Sequence, residues 1–262
     1  MPSNDFSLWT LASSSSSKTN RQIRPSRLAL FFLILAAASA QTKVTASSKT
    51  LGQVIDSYTA AIGGKAALDG ISSWQITGKP PDSGRLNRTS LVLYWKAPGK
   101  VLEISKSTFA MIQTGYDGKQ GWYLPQHGKS HHLTQEKVDL LLLACNPLRF
   151  VHLTEIYPGA TVEGEAKLDG QPVEVVLAHT WEGERRLFFD SQSHLLVRLE
   201  DRLKSGDKPR LTRFSNYKDF GDIKMPTDIE QDPPWGTQPN GIHIEKVHFN
   251  VKLKDIQFEN PR

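Results

Sequence analysis

Residues 246–253 run Lys-Val-His-Phe-Asn-Val-Lys-Leu, and the fold class turns on them. Val247, Phe249, Val251 and Leu253 fall on one side; Lys246, His248, Asn250 and Lys252 fall on the other. Successive side chains of a strand point to opposite faces, so this alternation predicts a strand with one dry and one wet face, as in antiparallel sheets. The same texture extends back along most of the chain. Leu91, Leu93 and Trp95 alternate with Val92, Tyr94 and Lys96, and Pro98-Gly99 fits the central pair of a type II turn before residues 101–105. Asp117-Gly118 and Asp169-Gly170 are hairpin signals between apolar runs. Glu182-Gly183, residues 190–194 and Gly206-Asp207 separate further strand-like runs. Many short strands joined by tight turns predict a single antiparallel sheet, a sandwich or a barrel. No strand–helix–strand rhythm is present, which argues against a doubly wound nucleotide fold.

Two stretches break the pattern. Leu51, Val54, Ile55, Tyr58 and Ile62 form one stripe of an amphipathic helix. Thr50 is placed to cap it, Gly63-Gly64 to stop it, and residues 65–68 can add one turn. Residues 134–144 read as a second helix, capped by Thr134 and ended by Pro147. Its four consecutive leucines leave little polar face, so burial is expected. The fold class that follows is mainly β (α+β). It is a strongly curved antiparallel sheet, or half-open β-barrel, with helices covering the concave face.

The N-terminus carries a different message. Arg21, Arg24 and Arg27 precede the apolar run LALFFLILAA, residues 28–37, and Ala38-Ser39-Ala40 closes it. A basic segment, a short apolar segment and a small-residue end are the order of a secretory signal. The run is shorter than the ~20 apolar residues that span a bilayer. The expected organisation is a signal peptide at 1–40 cleaved near Ala40, a disordered lead-in at 41–49, and a single domain at 50–262. The compartment expected is periplasmic or secreted.

The net charge of +5 belongs largely to the leader, and the remaining 222 residues hold 28 basic against 26 acidic side chains. The basic residues are scattered, so no nucleic-acid partner is expected. The single cysteine, Cys145, allows no internal disulfide and no thiolate metal site, and its apolar surroundings read as packing. His131-His132 are adjacent in an extended run and point to opposite faces, which opposes a shared metal. His243 and His248, five apart, are expected on opposite faces as well. Neither the Gly-x-Ser-x-Gly elbow nor a phosphate-cradling glycine loop is present. No catalytic residue, metal or cofactor is assigned. Asn87-Arg88-Thr89 matches a glycosylation acceptor, and the Pro-rich segment at 232–236 reads as a loop.

One pattern goes further. Tyr58-x-x-Ala61-x-Gly63-Gly64-x-x-Ala67-Leu68-x-x-Ile71-x-Ser73 resembles the start of secreted bacterial proteins described as outer-membrane lipoprotein-sorting, or LolA-like, proteins. Lys96-Ala97-Pro98-Gly99-Lys100, Tyr116-Asp117-Gly118-x-x-Gly121-Trp122, Tyr217-x-Asp219-Phe220 and Phe258-x-x-Pro261 extend the likeness over roughly residues 50–261. The resemblance implies a half-open antiparallel barrel whose helices plug a cavity. It also implies a non-catalytic carrier or sensor of a lipid, an acyl chain or a lipoprotein. Other expected contacts are transient, with a membrane surface or an envelope protein, and the chain is expected to be a monomer. Leu93, Trp95, Leu102, Ile104, Met111, Trp122 and Leu124 are the candidate cavity wall, and Leu140, Leu141 and Leu143 the candidate cover. An envelope module with a filled core that binds protein, and an envelope hydrolase with a dispersed site, are the alternatives.

Overall fold

The computed structural model describes residues 44–80, 90–146, 148–181, 183–204, 209–232 and 240–261. The leader at 1–40, the Asn87-Arg88-Thr89 triplet, Gly206-Asp207 and the tryptophan of the Pro-rich loop lie outside these residues.

Among the described residues two short helices come first, α1 (Leu51–Ala61) and α2 (Lys65–Asp69). Five strands follow: β1 (Ser73–Lys79), β2 (Ser90–Lys96), β3 (Lys100–Lys106), β4 (Met111–Tyr116) and β5 (Gly121–Leu124). After β6 (His131–His132) come α3 (Gln135–Cys145) and α4 (Leu153–Ile156). The second half is β7 (Thr161–Leu168), β8 (Gln171–His179), β9 (Gly183–Asp190), β10 (Leu196–Leu203), β11 (Arg210–Phe220), β12 (Ile223–Gln231) and β13 (Asn240–Phe249). All thirteen strands of the described residues join one antiparallel sheet in the order β6-β5-β4-β3-β2-β1-β13-β12-β11-β10-β9-β8-β7. The first and last long strands pair in the middle, and β6 and β7 are unjoined edges, so the sheet is open.

It is also curled. One apolar cluster takes residues from nine neighbouring strands, β2 through β7 in sheet order, together with α1. Laid flat, nine strands at ~4.8 Å spacing would span about 38 Å, far more than one helix covers. The strands therefore wrap α1. Val54, Ile55 and Tyr58 are buried there, and the Tyr58 ring meets Phe189 edge-on at 5.3 Å. Thr50 forms a capping box with Gln53, as the sequence predicts. The helix ends at Gly63, whose φ of +130° and packing against the Asp222 carbonyl exclude a side chain. There Lys224 N–H donates to the Ile62 carbonyl, tying α1 to the β11–β12 hairpin.

Several expectations are corrected. The alternating run at 246–253 is strand only to Phe249. At Asn250 the backbone turns left-handed (φ +54°) and its side chain bonds Ser72 and the Gly70 carbonyl. Leu253 then packs on the convex side, with Phe258 fully buried against Leu102 and Trp122. A bulge at Glu245 shifts register between Ile244 and Lys246, which returns His243 and His248 to the same, convex, face. Gly99 does not take a positive φ, so the β2–β3 turn is not type II; its Ala97–Pro98 bond is cis. The lead-in is held from Val44 onward. Thr45 pairs with Glu165 on the β7 edge, and Lys49 and Ser47 reach Glu174. Covering that edge removes a template for unwanted strand pairing.

Candidate functional site: a cavity on the concave face

Between α1 and the sheet lies a cavity of about 120 Å³. Its floor comes from Trp74 and Ile76 of β1, Leu91 and Leu93 of β2, Phe214 of β11, and Ile242 and Ile244 of β13. Tyr58, Ile62 and Leu68 close one side, and Cys145, Asn146, Leu148, Arg149 and Phe150 close another. These residues run from the end of α3 toward α4, whose Leu153 is fully buried. Trp74 stacks on Trp95 with ring centroids 4.0 Å apart and planes within 7°. Such walls take an apolar guest through shape and area, at ~0.8 kcal/mol per buried methylene. The volume approaches the ~150 Å³ of an engineered cavity that accepts benzene and falls below the ~300 Å³ of ordinary ligand sites.

Few polar groups face this space. Tyr217 donates its hydroxyl to the Leu196 carbonyl at 2.6 Å, and burial pushes both its phenol and that of Tyr58 up in pKa. The Trp74 indole N–H is buried and meets no acceptor among the described residues. Arg149 lies over the Phe150 ring at 4.4 Å. Desolvation, and then the neighbouring Arg185, lower its pKa to about 10. Burial opposes the charge of Arg185 too, but its fork on Asp201 (2.6 and 3.0 Å) and its bond to the Tyr157 hydroxyl raise it on balance. Lys224 pairs with Asp219 at 3.2 Å and keeps 37 % of its side chain exposed.

The residues expected to line the cavity are split by the sheet. Leu93 is in its wall. Trp95 backs that wall and joins Val101, Leu141 and Cys145 where α3 packs on the concave face. Register places Tyr94, Leu102, Gly115 and Trp122 in one row on the opposite, convex face. Leu102, Ile104, Trp122 and Leu124 therefore build a separate cluster under the C-terminal tail, where Trp122 donates its indole N–H to the Phe258 carbonyl at 2.8 Å. Gly115 makes room for that indole, which a Cβ would approach to 2.4 Å. Met111 is 46 % exposed on the same side. Leu141 is buried in α3; the side chains of Leu140 and Leu143 are outside the described set.

Sequence reasoning passed over Arg149, Phe150 and Phe214, which lie outside its two clear helices. The signal for Arg149 is a single cation in the apolar run Pro147-Leu148-Arg149-Phe150-Val151. Glu103 was also passed over. It lies beneath α3, between Leu93 and Thr114 in register, and is 6 % exposed. Burial pushes its carboxyl up to about 8. Among the described residues no three His, Cys, Asp or Glu side chains converge as metal ligands.

No family model and no curated protein matches the chain. Solved structures do. A DUF1329 family protein from Desulfovibrio piger superposes with a TM-score of 0.56 at 15 % identity, over 79 % of this chain and 96 % of that one. A LolA superfamily protein from Nitrosomonas europaea gives 0.56 at 12 % identity, over 81 % and 98 %. The chain has the LolA-like fold. An outer membrane lipoprotein-sorting protein domain from Vibrio parahaemolyticus also shares it, with a TM-score of 0.50 at 12 % identity over 79 % and 94 %. The LolA-like likeness spans nearly the whole of each neighbour, so the curled open sheet and its helical cover are the common unit. At these identities the likeness speaks for the fold alone.

Proposed function

We propose that this protein is a non-catalytic carrier or sensor of the cell envelope that holds a lipid, an acyl chain or a lipoprotein on the concave face of the sheet. The observation that carries this is the apolar cavity between α1 and the sheet, closed on one side by Cys145, Asn146, Leu148, Arg149 and Phe150. Its volume suits a short part of an acyl chain. Full occupancy requires the cover from α3 to α4 to move outward, which makes that cover the gate. The LolA-like fold and the signal-like leader support periplasmic or secreted work, with the leader removed near Ala40. Native mass spectrometry of protein recovered from an envelope, followed by lipid extraction, tests the reading. A stoichiometric lipid or acylated peptide is expected; a clean apo mass with no uptake of added fatty acid would sink it.

A second reading, an envelope module that binds protein through its surface, draws on the exposed Phe109, Met111 and Ile256, which are 79 %, 46 % and 69 % accessible. Under it, ligand uptake is absent and a partner protein protects β4 and the tail.

A further inference from the structure

Among the described residues, the cavity wall holds one buried polar group that the fold leaves unmet. Trp74 is fully buried, and its indole N–H meets no acceptor. No other buried side-chain nitrogen or oxygen of the described lining is left in this way. The remaining polar groups there are engaged. Tyr217 donates its hydroxyl to the Leu196 carbonyl at 2.6 Å, and Asn146 Oδ1 accepts the Leu148 N–H at 3.0 Å. Lys224 pairs with Asp219, and Arg149 has partners of its own and packs on the Phe150 ring. One face of the Trp74 indole is stacked on Trp95, which holds the donor in place at the wall. A buried donor without an acceptor is costly and rare in folded proteins, so a guest that supplies the acceptor gains by it.

The chemistry of that acceptor is narrow. A water molecule needs several polar partners to be held, and here a single donor is on offer. A carboxylate or phosphate head carries a charge that a wall of Ile76, Leu93, Phe214 and Ile244 excludes, so such a head stays outside. A hydroxyl or a secondary amide brings a further donor into the same apolar wall. A neutral carbonyl oxygen accepts, and brings neither a donor nor a charge.

We propose that the guest is an ester-linked acyl chain whose carbonyl oxygen accepts the Trp74 indole N–H inside the cavity, with the chain laid along Ile76, Leu91 and Phe214. This rests on the carrier reading and narrows it from any apolar guest to one with a neutral acyl carbonyl.

NMR titration of the isotope-labelled protein with methyl butanoate, butyl methyl ketone and isoheptane, the last supplied from the vapour, tests the proposal. The three probes are matched in heavy atoms and small enough for the cavity as it stands. The ester and the ketone are expected to move the Trp74 indole proton downfield. Isoheptane, which has no acceptor, is expected to perturb the methyl signals of Ile76 and Ile244 without moving that proton. Trp74→Phe should weaken binding of the ester and the ketone by at least about tenfold and change that of isoheptane by less than about threefold. The indole shift in the unmodified protein decides the proposal even where Trp74→Phe does not fold. Entry of the ester and the ketone with an unmoved indole proton, or equal losses of all three probes in Trp74→Phe, would overturn the role of Trp74 and leave the carrier reading standing. Entry of isoheptane with exclusion of both carbonyl probes would do the same. A ketone bound more than about tenfold more tightly than the ester would overturn the assignment to an ester. Exclusion of all three probes would overturn both readings together.

Discussion

Asn250 shows how one residue can set a whole face. It leaves the strand in a left-handed conformation, accepts hydrogen bonds from the Ser72 N–H (2.8 Å) and hydroxyl (3.0 Å), and donates to the Gly70 carbonyl at 3.1 Å. Asparagine tolerates this region better than most residues because its amide finds local partners. Asn250→Ala is expected to cost about 2–3 kcal/mol in urea denaturation, from the lost bonds and the backbone strain; Asn250→Gly is expected to cost less, by sparing the strain. Glu103 carries a pH signature. Its carboxyl moves from an ordinary 4.5 to about 8 on burial, so between these values the folded chain keeps a proton that the unfolded chain releases. Its contribution is present below pH 4.5, declines as pH rises and is lost above about 8. Glu103→Gln, which cannot ionise, should match the unmodified protein near pH 4.5 and exceed it at pH 8 by on the order of 4 kcal/mol. Urea titrations at those two pH values check this, and a constant difference would contradict it. Neither role was legible beforehand. A left-handed asparagine keeps the polar–apolar alternation intact, and a glutamate on a strand reads as a wet-face residue until an overlying helix is known.

At the scale of elements, α1 was readable from its stripe and both α1 and α3 from their caps, because Thr50, Thr134 and Gly63 act within one turn of themselves. Most hairpins were readable for the same reason, Asp169-Gly170 with both φ values positive being the plainest. The cavity wall was not. Strands β2 to β5 are covered on both faces, by α3 on one and by the C-terminal tail on the other. Both sets of side chains are therefore apolar, and only the register separates Leu93 and Trp95 from Leu102, Ile104, Trp122 and Leu124. Strand β12 is masked in sequence by Pro226, which stands opposite Tyr217. The tail is a structural part of the core on the convex face. Phe258→Ala, at a fully buried site, is expected to cost about 3–4 kcal/mol and to shift tryptophan emission to the red as Trp122 meets water. A loss under about 1 kcal/mol with unchanged emission would mean that the tail is not part of the core.

At the scale of the molecule, the described residues form an open, curled sheet that closes on its own helices around a concave void of about 120 Å³. A sheet joined by its first and last strands and left open at β6 and β7 can flex its rim without breaking a ladder. Under the carrier reading, capacity is then set by the cover from α3 to α4, not by the void alone. Filling the void should separate fold from function. Ile244→Phe places a ring in the cavity wall and is expected to change stability by no more than about 1–3 kcal/mol. The same variant should lose acyl-chain binding by at least about tenfold in calorimetry, a loss of ~1.4 kcal/mol. Equal binding by the variant would place the ligand elsewhere. The most direct test of the central claim is photo-crosslinking with an acyl chain bearing a diazirine, read by peptide mapping. The concave cavity predicts adducts on Trp74, Ile76, Phe150 and Phe214. Adducts confined to Met111, Ile256 and their neighbours on the convex side would contradict it.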